Sequence, residues 1–254
     1  MKYNAPEIKD FVKMCADIYG YDSISYAGNK KHSTFVDDVN FPFCVSREAS
    51  TLYVVFSGTD KLQDWMTNVN ILLTEENYLK GRVHTGFWEE YQAIKGKLFM
   101  LLSDYLTPDI SKIFIGGHSA GGALSTLFAT DLLKNILSEH QNRLKPEVIL
   151  VTCGSPRVGD KEFADYANDL IGKENIFSFV NSNDSVTRLP FVFGLYKHVG
   201  NPYYFNRKGK LLIRPSIWIR IWNQIVDRFW NQNLLSGINN HSVEQYYQVL
   251  SKHK

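Results

Sequence analysis

Four stretches of the chain are apolar at almost every position: residues 51–57 (TLYVVFS), 112–116 (KIFIG), 147–153 (EVILVTC) and 175–180 (NIFSFV). They are rich in Val, Ile and Phe and bounded by turn-forming residues, so each is predicted to be a strand. A run without polar alternation is one covered on both faces, as in a parallel sheet. Between these runs, residues 86–106, 120–137 and 161–171 repeat their apolar positions at helical spacing. Strand and helix in alternation predict an α/β fold, a mostly parallel central sheet covered by helices on both faces. Ahead of the first strand, Ile8, Phe11, Val12, Cys15 and Ile18 share one side of an amphipathic helix. No repeat, low-complexity stretch or Pro/Gly/Ser linker interrupts the series. Residues 1–254 therefore read as a single domain, elaborated after Val180.

Composition narrows the class. With 44% hydrophobic and 14% aromatic residues in 254, the chain can bury a sizeable core. A formal charge of +2 is too mild for a nucleic-acid binder, whose basic residues cluster on one face. Of the three cysteines, Cys44 and Cys153 lie at or beside strand-like runs, where a thiol behaves as a small buried hydrophobe, and no disulfide framework is indicated. The charged N-terminal helix is no secretory signal, and no run of about 18 apolar residues predicts a membrane span. The expectation is a soluble, cytoplasmic protein, with room for peripheral contact with a membrane.

Chemistry enters at residues 113–129, IFIGGHSAGGALSTLFA, where a strand pattern gives way to a helical one around Gly117-His118-Ser119-Ala120-Gly121. A Gly-x-Ser-x-Gly segment between a strand and a helix is the setting of a nucleophile elbow. Turning so sharply forces the serine into a sparsely allowed backbone conformation. Side chains two positions either side would strike the neighbouring strand and helix, which the glycines avoid. Ser119 then stands above the carboxyl edge of the sheet, and the Ala120 amide points where an oxyanion would form. The alternative is a tight glycine turn holding a structural serine.

A serine hydroxyl needs a base to become a nucleophile, usually a histidine held by a carboxylate, and on this architecture the order is Ser, Asp/Glu, His. Of seven histidines, His140, His198, His241 and His253 follow Ser119. His140 falls at the far end of the elbow helix and His253 in the terminal tail. His198 sits in a strand-like alternation that suits a structural histidine. His241 follows a polar turn and opens the last helical pattern, the place for a loop-borne base. Asp184 comes just after the strand of residues 175–180 and is the candidate acid, against the plainer reading of an Asn-Asp turn. Asp160 resembles a helix cap and Asp165 a surface residue. The loop after the first strand, VVFSGTDKLQDW, offers Thr59 behind Gly58 as a second oxyanion donor, although a helix cap would also explain Gly-Thr-Asp. No His/Cys cluster has metal-ligand spacing, and the chemistry calls for no metal or organic cofactor.

The blocks GGHSAGGALS, FSGTDKLQDWMTN, RVHTGFWEEY, CGSPRVGD, NSNDSVTRLP, FGLYKHVGNPYYF and NNHSVEQYY together resemble the class 3 lipases, the fungal-type triacylglycerol lipases of the α/β-hydrolase fold. The resemblance runs in order over residues 52–247. It implies a Ser119–Asp184–His241 triad with Thr59 and Ala120 as oxyanion donors. The chain departs from the family's pattern at several positions. Ser185 stands where proline is frequent, Ala120 where leucine is usual, Asn240 where aspartate often precedes the histidine, and Ser57 where arginine is common. Asn68 falls where some members carry an aspartate that anchors the oxyanion hydroxyl.

The resemblance also implies a lid over the site at residues 60–72, with Leu62, Trp65 and Met66 facing the acyl cleft, against an ordinary surface helix. Residues 216–235 form a second amphipathic stretch, whose apolar face, with Trp218 and Trp222, is a candidate pocket wall or cap. His118 joins these as a candidate substrate contact. The expected function is a serine ester hydrolase cleaving acyl esters of lipids, with a lipid or other acyl ester as its partner and transient contact with a lipid interface. A phospholipase A1 or a soluble carboxylesterase would use the same triad. A lipase-like scaffold that binds lipid or protein without turnover is the non-enzymatic alternative.

Overall fold

The computed structural model describes residues 5–20, 33–59, 71–76, 79–136, 146–190, 194–206, 208–213, 215–216, 218–219 and 241–252. Helix α1 (Ala5–Asp17) precedes strands β1 (Ser33–Val36), β2 (Phe43–Glu48) and β3 (Thr51–Phe56). A small antiparallel pair, β4 (Leu73–Glu75) and β5 (Arg82–His84), leads into helix α2 (Thr85–Tyr105). Strand β6 (Lys112–His118) and helix α3 (Ala120–Asp131) meet at Ser119. Strand β7 (Glu147–Cys153), helix α4 (Lys161–Ile171) and strand β8 (Ile176–Asn181) follow. Strands β9 (Pro202–Phe205) and β10 (Leu211–Ile213) close the sheet, and helix α5 (Val243–Ser251) comes last among the described elements.

Among the described residues the main sheet has eight strands in the order β1-β2-β3-β6-β7-β8-β9-β10. The pairs from β3 through β9 are parallel, and β1-β2, β2-β3 and β9-β10 are antiparallel. The central strands alternate between two apolar layers, as a period of two requires. Val54, Ile115 and Leu150 face one layer with Phe87 and Leu98 of α2, Leu124 and Phe128 of α3, and Phe163 of α4. Val55, Phe114, Ile149 and Val151 face the other with Phe11 and Cys15 of α1 and Tyr246 and Leu250 of α5. Ile8, Phe11, Val12, Cys15 and Ile18 are all buried, so the amphipathic side of the first helix is its contact with the sheet.

Two expectations change in detail. The helix of residues 120–137 is α-helical only as far as Asp131 and continues as a π-helical turn, Leu132–Ile136. All twelve residues of α3 are buried, so it is a central helix wedged between α2, α4 and the sheet. Around His198 the extended pattern does not become a strand: β9 begins at Pro202, and the His198 Nε2 instead lies 2.6 Å from the Thr187 carbonyl. The three cysteines are buried and form no disulfide, and no described helix is long and apolar enough to cross a membrane.

The end of α3 carries a carboxylate with no exposed surface. Asp131 accepts from Tyr91 Oη at 2.5 Å and pairs with Lys95 Nζ at 2.6 Å, while Asn135 donates to its other oxygen. These donors from α2 and the following turn lock the two helices together. Asp131→Ala is expected to lower stability by about 1–3 kcal/mol, because the buried Tyr91 hydroxyl loses its acceptor. Urea unfolding of the two proteins measures the difference.

Candidate active site

The elbow follows from how β6 joins α3. Ser119 has φ 59° and ψ −130°, a strained conformation for a residue with a side chain. Its amide donates to the Cys153 carbonyl at 3.0 Å, which pins the turn to the end of β7. A Cβ at Gly117 would lie 2.5 Å from the Phe56 carbonyl oxygen, and one at Gly121 2.4 Å from the same atom. The end of β3 thus passes close under both flanks of the serine. That approach also brings the next loop alongside, since a Cβ built at Gly58 would lie 3.2 Å from Ser119 Cβ. Thr59, the next residue, is half-buried. Ala120 opens α3, where the first amides of a helix have no carbonyl one turn back to bond.

Asp184 lies three residues beyond β8 and is fully buried. Its Oδ1 accepts from the Val186 amide at 2.8 Å. Its Oδ2 accepts from His241 Nδ1 at 2.7 Å and from the Tyr246 hydroxyl at 2.6 Å. Since a carboxylate accepts, the hydrogen of His241 sits on Nδ1, and Nε2 presents a lone pair. His241 Nε2 and Ser119 Oγ are both buried and without a hydrogen-bond partner among the described residues. A buried polar atom left unbonded is costly. Here two such atoms belong to the expected base and nucleophile.

His118 takes a different position from a pocket wall. Its ring is buried and its centroid lies 4.4 Å from that of His241. Nε2 lies 2.5 Å from the His241 carbonyl and Nδ1 lies 2.9 Å from the Tyr19 hydroxyl, so both nitrogens are engaged by protein. Burial, and then the neighbouring His241, hold its pKa well below the ordinary 6.5. Trp218 stands 76% exposed. Leu62, Trp65, Met66 and Trp222, with most of residues 60–72 and 216–235, lie outside the described residues.

Two tyrosines were not singled out in the sequence. Tyr246 donates to Asp184 and accepts from the Asn181 amide at 3.0 Å. Burial, then the adjacent carboxylate, push its pKa well above 10.0, so it remains a donor. Its position five residues after His241 placed it on the first turn and a half of a helix, where an aromatic reads as core. Tyr19 follows α1 and gave no polar signal at all. Asp160 caps α4 by accepting from the Phe163 amide at 3.0 Å, and Asp165 pairs with Lys161 and Lys197 on the surface.

Tyr246→Phe removes one donor from the buried carboxylate and the acceptor of the Asn181 bond, and is expected to cost about 1–3 kcal/mol in urea unfolding. His118 makes stability pH-dependent. Its folded pKa is depressed, so on acidification from about 6.5 the unfolded chain binds a proton that the folded chain refuses. Its contribution is complete above that pH and is lost below it, at up to about 1.4 kcal/mol per pH unit until the folded ring also protonates. The groups facing the ring are the Tyr19 hydroxyl, the His241 carbonyl and imidazole, and the Tyr246 ring 6.2 Å away. His118→Gln should flatten this part of the acid limb when unfolding midpoints are compared between about pH 5 and about pH 7.5.

Residues 53–194 match the family described as Lipase (class 3). The lipase of Rhizomucor miehei is 28% identical over 179 residues, covering 69% of this chain and 47% of the relative. The secreted mono- and diacylglycerol lipase A of Penicillium cyclopium is 25% identical over 186 residues, covering 72% of this chain and 57% of the relative. The chain thus spans about half the length of these two relatives. A solved triacylglycerol lipase, described as having a serine-protease triad for its catalytic centre, superposes with a TM-score of 0.68 at 22% identity over 82% of each chain. The sheet order, the elbow and the matched residues agree: this chain has the α/β-hydrolase fold and belongs to the class 3 lipase family.

Proposed function

We propose that the chain is a serine ester hydrolase that cleaves acyl esters of lipids through an acyl-enzyme on Ser119. The observation that carries the reading is the His241 Nδ1–Asp184 Oδ2 bond at 2.7 Å, with Nε2 and the Ser119 hydroxyl both buried and unbonded among the described residues. Family membership and the names of the lipase relatives support an ester as substrate.

In this reading His241 Nε2 takes the Ser119 proton as Oγ attacks the ester carbonyl carbon. Asp184 keeps the imidazole in the required tautomer and stabilises the imidazolium that forms. The amides of Thr59 and Ala120 receive the tetrahedral oxyanion, a contribution of about 10²–10³ in rate for each donor. His241 returns the proton to the leaving alkoxide, and the acyl-enzyme remains. Water, deprotonated by the same nitrogen, then attacks the acyl carbon and releases the acid. The strain at Ser119 suits this work, because it holds Oγ out of the helix it precedes. The expected lid at residues 60–72 and pocket wall at 216–235, with Leu62, Trp65, Met66, Trp218 and Trp222 as acyl contacts, remain part of the proposal.

Ser119→Ala is expected to abolish labelling by a fluorophosphonate and to cut hydrolysis of a p-nitrophenyl ester by about 10⁶. Ser125→Ala should still be labelled, since that buried hydroxyl is spent on the Gly121 carbonyl at 2.6 Å. Asp184→Asn should lose about 10⁴ by favouring the wrong tautomer. A wild-type protein that is never labelled defeats the reading in favour of a binding scaffold. Rates on triacylglycerol, monoacylglycerol, phospholipid and short soluble esters, below and above micelle formation, separate a lipase from a phospholipase A1 and a carboxylesterase.

A further inference from the structure

We propose that Tyr19 is a positioning residue for the oxyanion loop, acting through a proton-ordered chain that runs through His118; the inference rests on the ester-hydrolase reading above. The order of the chain follows from what each atom can do. The His241 carbonyl can only accept, so His118 Nε2 carries a hydrogen and donates across 2.5 Å. The buried ring is neutral, which leaves Nδ1 bare and makes it the acceptor of the Tyr19 hydroxyl at 2.9 Å. That hydroxyl still has lone pairs, and the Gly58 amide donates to it at 2.8 Å. One direction of donation therefore runs from Gly58 through Tyr19 and His118 to the carbonyl of His241. Each bond polarises the next.

The chain joins four separate segments of sequence. Tyr19 comes from the turn after α1, Gly58 from the loop beyond β3, His118 from the end of β6, and His241 from the loop before α5. Packing reinforces it: the Tyr19 ring stands edge-on to His118 at 5.7 Å and 70°, and a Cβ at Gly58 would lie 2.1 Å from the phenol oxygen. Tyr19 is 37% exposed, so its hydroxyl has an alternative in solvent. It turns inward to the amide immediately before Thr59. That amide belongs to the Ser57–Gly58 peptide, one residue ahead of the peptide that carries the Thr59 N–H, so the bond restrains the stem from which the chain enters Thr59, the proposed oxyanion donor. The other end of the chain fixes the main chain of the proposed base.

An oxyanion amide meets full charge only in the transition state, so loosening it lowers kcat and leaves KM nearly unchanged. Tyr19→Phe keeps the ring and removes the hydroxyl. On p-nitrophenyl butyrate it is expected to lose about 10–100-fold in kcat, with KM within about twofold. The fluorophosphonate labelling rate, which reports the same tetrahedral geometry, should fall in parallel. The thermal midpoint should stay within about 4 °C of wild type.

His118→Gln is the second variant. It retains an N–H for the His241 carbonyl and breaks the link to Tyr19, so it should lower kcat by a similar factor. The double variant should be no slower than the worse single variant, the mark of groups acting as one unit. A Tyr19→Phe protein with wild-type kcat and labelling rate overturns the inference and leaves the hydrolase reading intact. So does a rise in KM at constant kcat, or full additivity in the double variant. Absence of labelling in the wild type removes both together.

Discussion

A carboxylate without exposed surface has given up its hydration, and the protein must replace it with donors of its own or lose the charge. Asp184 is in that position, and its donors come from three places: the Val186 amide beside it, the His241 imidazole, and the Tyr246 hydroxyl. Both side-chain donors converge on one oxygen. The last described loop and helix are therefore held to the end of β8 by short charge-assisted bonds. This is the constraint on which the site's geometry depends. Without it the His241 ring has no reason to hold one tautomer, and α5 loses the polar end of its contact with the sheet.

The sheet supplies the second half of the arrangement. Loops leaving β3, β6 and β8 all emerge at the carboxyl edge, where a parallel sheet gathers its chemistry. At that edge Phe56 pairs with Gly117 and His118 with Cys153, so the elbow is seated between two strands before any side chain is considered. The Ser119–Cys153 backbone bond and the Tyr19–His118 side-chain bond reach it directly, and the Gly58–Tyr19 bond ties the neighbouring loop to the same phenol. Strain at one backbone position is tolerable when the surroundings determine it so fully.

Much of this was legible in the chain. The run at residues 147–153 coincides with β7 and that at 161–171 with α4, because dense apolar content and clear caps mark both. The elbow could be read because its glycines and its change of rhythm coincide. Strand β1 is not marked in the sequence, being short and largely half-exposed at the antiparallel margin of the sheet, and β2 shows only as the strand-like surroundings of Cys44. The helical period at 120–137 was visible, but its burial on every side was not, since Thr126, Thr130 and Asp131 read as a polar face. Thr126 and Thr130 bond back to carbonyls of their own helix. His118 is visible in the sequence beside Ser119, but its direction is not. A phenol aimed at a carboxylate or an imidazole looks, in sequence, like any core aromatic, which is why Tyr19 and Tyr246 came only with the coordinates.

The packing of α1 against α5 has a consequence for how the molecule is made. Every described strand of the sheet lies earlier in the chain than residue 241, so a growing polypeptide can assemble those strands before the partner of its first helix exists. Until α5 arrives, α1 alone covers that layer of the central sheet among the described helices, and Asp184 lacks two of its donors. A chain emerging from the ribosome can thus hold the described sheet while Asp184 and His241 are still apart, and the bond between them forms only once the segment before α5 has followed.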